Sequence, residues 1–147
     1  MRVETERQRD RLTAVRRVDA EPALVWEAFT TAEHVAAFWG GDHAVVPVDS
    51  VRVDARVGGD LELVTVAPDG ARRPLRFTYD EVEEPTRLVF TEPVTGIVTR
   101  VDLRAEGSQT VVSVHQRRLP PELQTRQAEA GLAAILDRLG ELVADLS

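Results

Sequence analysis

The residues of this chain that could perform acid–base chemistry are few and lie in separate segments. Asp42 and His43 are adjacent, and a carboxylate beside an imidazole is a pairing that can act as a general base. The other candidates are Tyr79, Arg100 and Gln116. A solvated loop is the simpler interpretation of Asp42-His43, so we predict no catalytic residues and favour a protein that is not an enzyme.

The composition excludes several reaction classes. All 18 basic residues are arginine, so the chain has no lysine for Schiff-base chemistry or for the phosphate contact of a P-loop. It also has no cysteine, which excludes a thiolate nucleophile. None of the serines occupies a G-x-S-x-G motif, so an esterase nucleophile elbow is absent. The three histidines have no metal-ligand spacing. We therefore predict neither a metal nor a cofactor.

Length and charge limit the partners. A chain of 147 residues fits one domain, and its formal net charge of −7, with dispersed arginines, argues against nucleic-acid binding. The first eleven residues are strongly charged and do not resemble a signal peptide. No apolar run approaches the roughly 20 residues of a membrane-spanning helix. We expect a cytoplasmic monomer or homodimer without a membrane span.

The N-terminal third predicts one strand followed by two short helices. Residues 1–9 are polar and are expected to be flexible, so the single domain is predicted over 10–147, with a first strand at 10–18. A helix is predicted over Glu21–Phe29, because proline at position 22 suits a first helical turn. The T-x-x-E sequence beginning at Thr30 resembles a capping box and predicts a second helix over Ala32–Trp39.

The remainder predicts strands and then one long helix. Short alternating segments with tight turns between them favour an antiparallel sheet; they cover Val51–Arg56, Asp60–Val66, Leu75–Tyr79, Arg87–Thr91, Ile97–Arg104 and Thr110–Gln116. Apolar residues from Leu132 to Leu146 recur at three- and four-residue steps, which predicts an amphipathic helix over Pro121–Leu146. The fold class is therefore α+β, with a curved antiparallel sheet of six to seven strands wrapped around the C-terminal helix.

The Gly58-Gly59 pair invites comparison with a phosphate-binding loop. No helix is predicted after it and the G-x-G-x-x-G context is missing, so a bend or bulge between strands is the better interpretation. We expect at least one of the two glycines to adopt a positive φ angle.

Several motifs in this order resemble the START-like, Bet v-type helix-grip superfamily (SRPBCC), in particular its bacterial branch related to the Hsp-ninety ATPase activator. V-W-E-A-F-T at residues 25–30 is similar to the family's first-helix motif. D-A-R-V-G-G at 54–59 and P-T-R-L-V-F-T at 85–91 resemble its strand motifs. Gly131 and L-D-R-L at 136–139 resemble the C-terminal helix, except that Leu132 stands where relatives have tryptophan.

The resemblance implies a helix-grip fold with a cavity between the sheet and the C-terminal helix, which would hold a small hydrophobic ligand such as a lipid-like or polyketide-like metabolite. Strand alternation and helical phase then select the ligand-binding candidates, which are Phe38, Trp39, Leu61, Leu63, Phe77, Tyr79, Phe90, Val101, Val112, Val114, Gln116, Leu132 and Leu136. For most of them, simple core packing is the alternative role.

Two other functions remain open on the sequence. Some proteins of this architecture are polyketide cyclases or lyases, which use the same cavity with a few acid–base groups. The related co-chaperone domain is instead an interaction module that stimulates an ATPase.

Overall fold

The computed structural model describes residues 2–147 and contains three α-helices and eight strands. The helices are α1 (Pro22–Thr30), α2 (Ala32–Phe38) and α3 (Arg126–Leu146). The strands are β1 (Glu4–Gln8), β2 (Arg11–Val18), β3 (Arg52–Val53), β4 (Asp60–Val66), β5 (Arg72–Glu83), β6 (Arg87–Thr91), β7 (Val98–Glu106) and β8 (Gln109–Arg117).

All eight strands form one antiparallel sheet in the order β1-β2-β8-β7-β6-β5-β4-β3. The sheet is curved, and α3 packs against β1 and β2 while also contacting α1 and α2. The hydrophobic core lies between these helices and the concave face of the sheet. The predicted α+β fold class is confirmed, with eight strands in place of six or seven.

The apolar stripe of α3 attaches the helix to the sheet. Leu132, Leu136, Leu139 and Val143 are buried, at the three- and four-residue spacing that the sequence predicts. The α-helix begins at Arg126 rather than Pro121 because Pro121–Leu123 form a 3₁₀ turn. Among the described residues, none of the helices has the length and hydropathy needed to cross a membrane.

Glu4–Gln8 lie within residues 1–9, the segment that the sequence predicts to be flexible. These residues form β1, which pairs with β2 across a tight turn at Arg9 and Asp10, where Arg9 has a φ of 55°. Every residue of β1 is exposed, so the sequence shows no alternation of apolar and polar residues that would indicate a strand. Backbone hydrogen bonding to β2 holds it instead.

Two local predictions at the start of the domain are wrong. Thr30 does not cap α2, because it ends α1 and its hydroxyl donates a hydrogen bond to the Trp26 carbonyl oxygen at 2.8 Å. The strand predicted over Val51–Arg56 shrinks to the two residues of β3. The preceding 3₁₀ turn at Val48–Ser50 and the bend at Gly58 leave little extended chain to pair with β4.

The bend at Gly58-Gly59 confirms that one glycine has a positive φ angle, since Gly58 has a φ of 85°. Gly59 is required for another reason, because a Cβ atom there would overlap the carbonyl oxygen of Asp54.

We predict that Gly59→Val lowers the free energy of unfolding by about 1–3 kcal/mol through this overlap. Chemical denaturation measures the effect, and an unchanged unfolding midpoint would contradict the geometry.

Gly140 of α3 lies directly against the side chain of Arg16 from β2. Arg16 projects from β2 beneath the helix, and its side chain is 12% exposed and lies 3.5 Å from Asp137, measured from Nε to Oδ1. Its guanidinium group occupies the space where a Cβ atom on residue 140 would stand. Glycine therefore allows the helix to lie over a charged side chain that the sheet directs inward.

The two glycines of α3 offer a matched test of this contact. Gly140→Ala must displace the Arg16 guanidinium, which is the flexible end of a long side chain, so the cost of this displacement should offset the roughly 0.5–1 kcal/mol that alanine gains over glycine in a helix. Apart from its own helix backbone and chain neighbours, no atom lies within 4 Å of the Cβ position at Gly131, so Gly131→Ala should raise the free energy of unfolding by roughly 0.5–1 kcal/mol through helix propensity alone. Thermal unfolding of both variants measures the difference, and equal shifts would show that Arg16 does not constrain the helix.

Candidate ligand-binding cavity

A cavity of about 210 Å³ lies between the N-terminal half of α3, the end of α2 and the concave face of the sheet. It is lined by side chains from β5, β6, β7 and β8, from the turn after β6 and from the helices, and these are Phe29, Phe38, Trp39, Arg73, Leu75, Phe77, Phe90, Glu92, Ile97, Thr99, Val101, Val114, Gln116, Leu123, Leu132, Ile135 and Leu136. Arg73 is exposed and marks the rim.

Aromatic rings form one wall of the cavity. Trp39 lies with its ring centroid 5.4 Å from that of Phe77 and 6.0 Å from that of Phe90, while the two phenylalanine centroids are 5.4 Å apart. The position of Trp39 follows from α2, which ends there with the Trp39 amide donating to the Val35 carbonyl oxygen at 3.0 Å. These tilted and edge-on arrangements are favourable for aromatic pairs and stabilise the wall without a ligand.

Helix α3 supplies the opposite wall. Leu132, Ile135 and Leu136 line the cavity, at positions i, i+3 and i+4 of one helical stripe. Further along the same stripe, Leu139 is fully buried and does not border the cavity. The cavity therefore belongs to the first half of the helix, and its second half packs closely on the sheet.

Polar side chains meet at one end of this apolar space. Glu92 is 9% exposed, and its Oε2 accepts a hydrogen bond from the Thr95 hydroxyl at 2.9 Å. The Glu92 amide donates to the Ile97 carbonyl oxygen at 2.9 Å, which fixes the turn between β6 and β7. On the next strands, Thr99 and Gln116 are paired in register, and Gln116 Nε2 lies 3.4 Å from Thr99 Oγ1.

Most of the predicted ligand-binding residues border the cavity, namely Phe38, Trp39, Phe77, Phe90, Val101, Val114, Gln116, Leu132 and Leu136. Leu61, Leu63, Tyr79 and Val112 do not. They are buried on the same concave side but belong to the packed core. The two leucines are on β4, which packs against the 3₁₀ turn at Val48–Ser50.

Tyr79 is the most deeply buried polar candidate. Its side chain is 1% exposed, and its hydroxyl group has no hydrogen-bond partner among the described residues. Burial, and secondarily the negative charge of Asp54, raises the pKa of Tyr79 above its usual range. The phenol is therefore neutral, and its ring packs against Phe90 at a centroid distance of 6.1 Å.

The acid–base candidates are not brought together. Asp42 and His43 are exposed and border a different surface hollow, where Asp42 Oδ1 lies 3.6 Å from Arg138 Nε. Arg100 is exposed and donates from Nε to Asp102 Oδ2 at 2.7 Å. Only Gln116 reaches the cavity. Within residues 2–147, no three histidine, aspartate or glutamate side chains are grouped to hold a metal ion.

Sequence reasoning missed Glu92 and Thr99, although a signal for both exists. Leu88, Phe90 and Glu92 continue one alternating phase past the end of β6, and Thr99 has the same phase as Val101 on β7. Extending the alternation beyond the apolar residues would have placed both polar side chains on the concave face.

Comparisons with solved structures agree with this architecture. A protein from Rhodobacter sphaeroides matches with a TM-score of 0.84 at 19% identity, covering 99% of each chain. A Chromobacterium violaceum protein gives a TM-score of 0.84 at 22% identity, covering 92% of this chain and 98% of its own. An AHSA1-like protein from Aeromonas hydrophila gives a TM-score of 0.75 at 26% identity, covering 91% of this chain and 93% of its own.

No functionally curated protein shows significant similarity to the sequence. The family model for activator of Hsp90 ATPase homolog 1-like proteins matches residues 19–144, a span that runs from the loop before α1 almost to the end of α3. The chain therefore belongs to the activator of Hsp90 ATPase homolog 1-like family.

Proposed function

We propose that this protein binds a small hydrophobic molecule in the cavity between the sheet and α3. The observation that carries the proposal is the cavity itself, in which aromatic and aliphatic side chains surround about 210 Å³ that no side chain of the protein fills. The space is partly open at its rim, and a concave, mostly apolar lining with a few polar groups is the usual character of a small-molecule site. The family relationship supports the proposal, because proteins of this fold commonly bind hydrophobic ligands.

The volume limits the ligand. An apolar cavity of about 150 Å³ is known to hold benzene, whereas typical pockets for drug-sized molecules have roughly 300–1,000 Å³. The cavity therefore suits a molecule slightly larger than a single aromatic ring. Burying on the order of 300 Å² of its surface contributes roughly 7 kcal/mol, and the costs of association leave an affinity on the order of micromolar.

Binding accounts for the residues at the site better than the alternatives do. A cyclase or lyase needs several acid–base groups around its substrate, whereas Glu92 is the one carboxylate in the lining and, of the five sequence candidates, Asp42, His43, Tyr79 and Arg100 lie outside it. A co-chaperone-like interaction would use the surface, and no described surface feature argues for it.

Leu132→Trp tests whether the space is open in solution. The larger ring should enter the cavity and raise the free energy of unfolding by about 1–2 kcal/mol through added apolar burial. Leu139→Trp is the matched control, because Leu139 is fully buried outside the cavity and overpacking there should cost about 1–3 kcal/mol. Thermal unfolding measures both, and a Leu132→Trp variant that melts below the wild type would indicate a closed core.

A second test measures ligand binding directly. The wild-type protein should bind propylbenzene, and Leu132→Trp should weaken that binding at least tenfold because its indole occupies the same volume. Isothermal titration calorimetry gives the affinities. Native mass spectrometry of gently purified protein should also detect any small molecule that copurifies. Absence of propylbenzene binding in the wild type would refute the proposed function.

A further inference from the structure

We infer that the ligand is amphipathic, with an apolar body and one hydrogen-bond donor, either a hydroxyl or an ammonium group, directed at Glu92. This inference rests on the proposed function and specifies the chemistry of the ligand for that same cavity. It comes from a carboxylate in the cavity lining, one oxygen of which has no donor from the described residues of the protein.

Glu92 is an acidic residue in a cavity lining that is mostly apolar. Its side chain is 9% exposed, and burial of a carboxylate is unfavourable unless hydrogen bonds or a counter-charge compensate. Oε2 has the Thr95 hydroxyl, but among residues 2–147 no side chain or backbone group donates to Oε1. Oε1 is not among the fully buried side-chain atoms that lack a partner, so water reaches it in the free protein. A ligand that displaces this water would have to supply a donor in its place.

The surroundings of Glu92 complement such a polar group. Thr99 and Gln116 lie in the same cavity lining on the two following strands, and the bond from Gln116 Nε2 to Thr99 Oγ1 leaves the amide oxygen of Gln116 without a donor. Glu92 and Gln116 therefore each contribute one acceptor oxygen without a protein donor to the same cavity lining. Two hydrogen-bond acceptors are suited to a ligand that carries a hydrogen-bond donor.

The only cationic lining residue does not alter this conclusion. Arg73 lies at the rim and is exposed, so water solvates its guanidinium group. No ion pair joins Arg73 to Glu92 in the part of the chain that the structure describes. The carboxylate consequently has no cation in direct contact within the described residues, and a ligand ammonium group would provide one.

Three probes of equal size separate the polar contribution from the apolar one. Propylbenzene, 2-phenylethanol and 2-phenylethylamine differ only in a terminal methyl, hydroxyl or ammonium group. Their affinities are measured by calorimetry for the wild type and for Glu92→Gln, in which the amide oxygen can still accept from Thr95 while the amide NH₂ replaces Oε1. Glu62→Gln makes the same change of charge at an exposed position outside the cavity and serves as the control.

We expect Glu92→Gln to lower the affinity for 2-phenylethylamine at least tenfold, which is the scale of one charge-assisted hydrogen bond. The affinity for propylbenzene should change less than twofold. The loss of affinity for 2-phenylethanol should fall between these values, and Glu62→Gln should change the affinity for none of the three probes. Equal losses for the amine and the hydrocarbon would overturn the inference while leaving the proposed function intact.

A second measurement does not depend on the folding of the variant. In the wild type, the carboxyl ¹³C resonance of Glu92 should shift on addition of the amine or the alcohol and stay in place with propylbenzene. An unmoved Glu92 resonance with all three bound probes would overturn the inference. If none of the probes binds the wild type, the proposed function fails together with it.

Discussion

The contact between the apolar stripe of α3 and the concave face of the sheet is the constraint on which the rest of the structure depends. In the second half of the helix this contact is close, since Leu139 and Val143 are fully buried and Gly140 allows the backbone to lie over Arg16. In the first half, Leu132 and Leu136 face the cavity instead. One helix thus closes the core at one end of the molecule and leaves a space at the other. The same hydrophobic contact that stabilises the fold therefore creates the candidate binding site.

The cavity has two chemically distinct ends because the sheet continues beyond its apolar residues. Strand alternation directs every second side chain inward, and near the ends of β6, β7 and β8 those inward residues are Glu92, Thr99 and Gln116. The turn held by Thr95 fixes the carboxylate against the apolar wall. A fold that only needed a stable core would be expected to place apolar residues there, whereas Glu92 and Gln116 each keep an acceptor oxygen with no donor from the described residues. The polar end is consequently the feature most easily explained by a ligand.

The sequence predicts the fold well because periodicity reports directly on which face of an element is buried. It identifies β4 and β6 to the residue and the stripe of α3 closely. It fails at β1, whose exposed residues carry no pattern, and at Thr30, whose hydroxyl bonds within its own helix. It also predicts that Leu61, Leu63, Tyr79 and Val112 face inward, but alternation does not reveal what covers an inward residue. Only the three-dimensional arrangement of α2, α3 and the 3₁₀ turn separates packed core from cavity.

Crystals of the protein under xenon pressure test the central claim most directly, because xenon enters unfilled apolar cavities and does not depend on knowing the ligand. We predict a xenon site bounded by Trp39, Phe90 and Leu136, away from Glu92 and Thr99 at the polar end. Absence of xenon there, with the aromatic and leucine side chains collapsed into the space, would contradict the account. The protein would then have a closed core in place of a binding site.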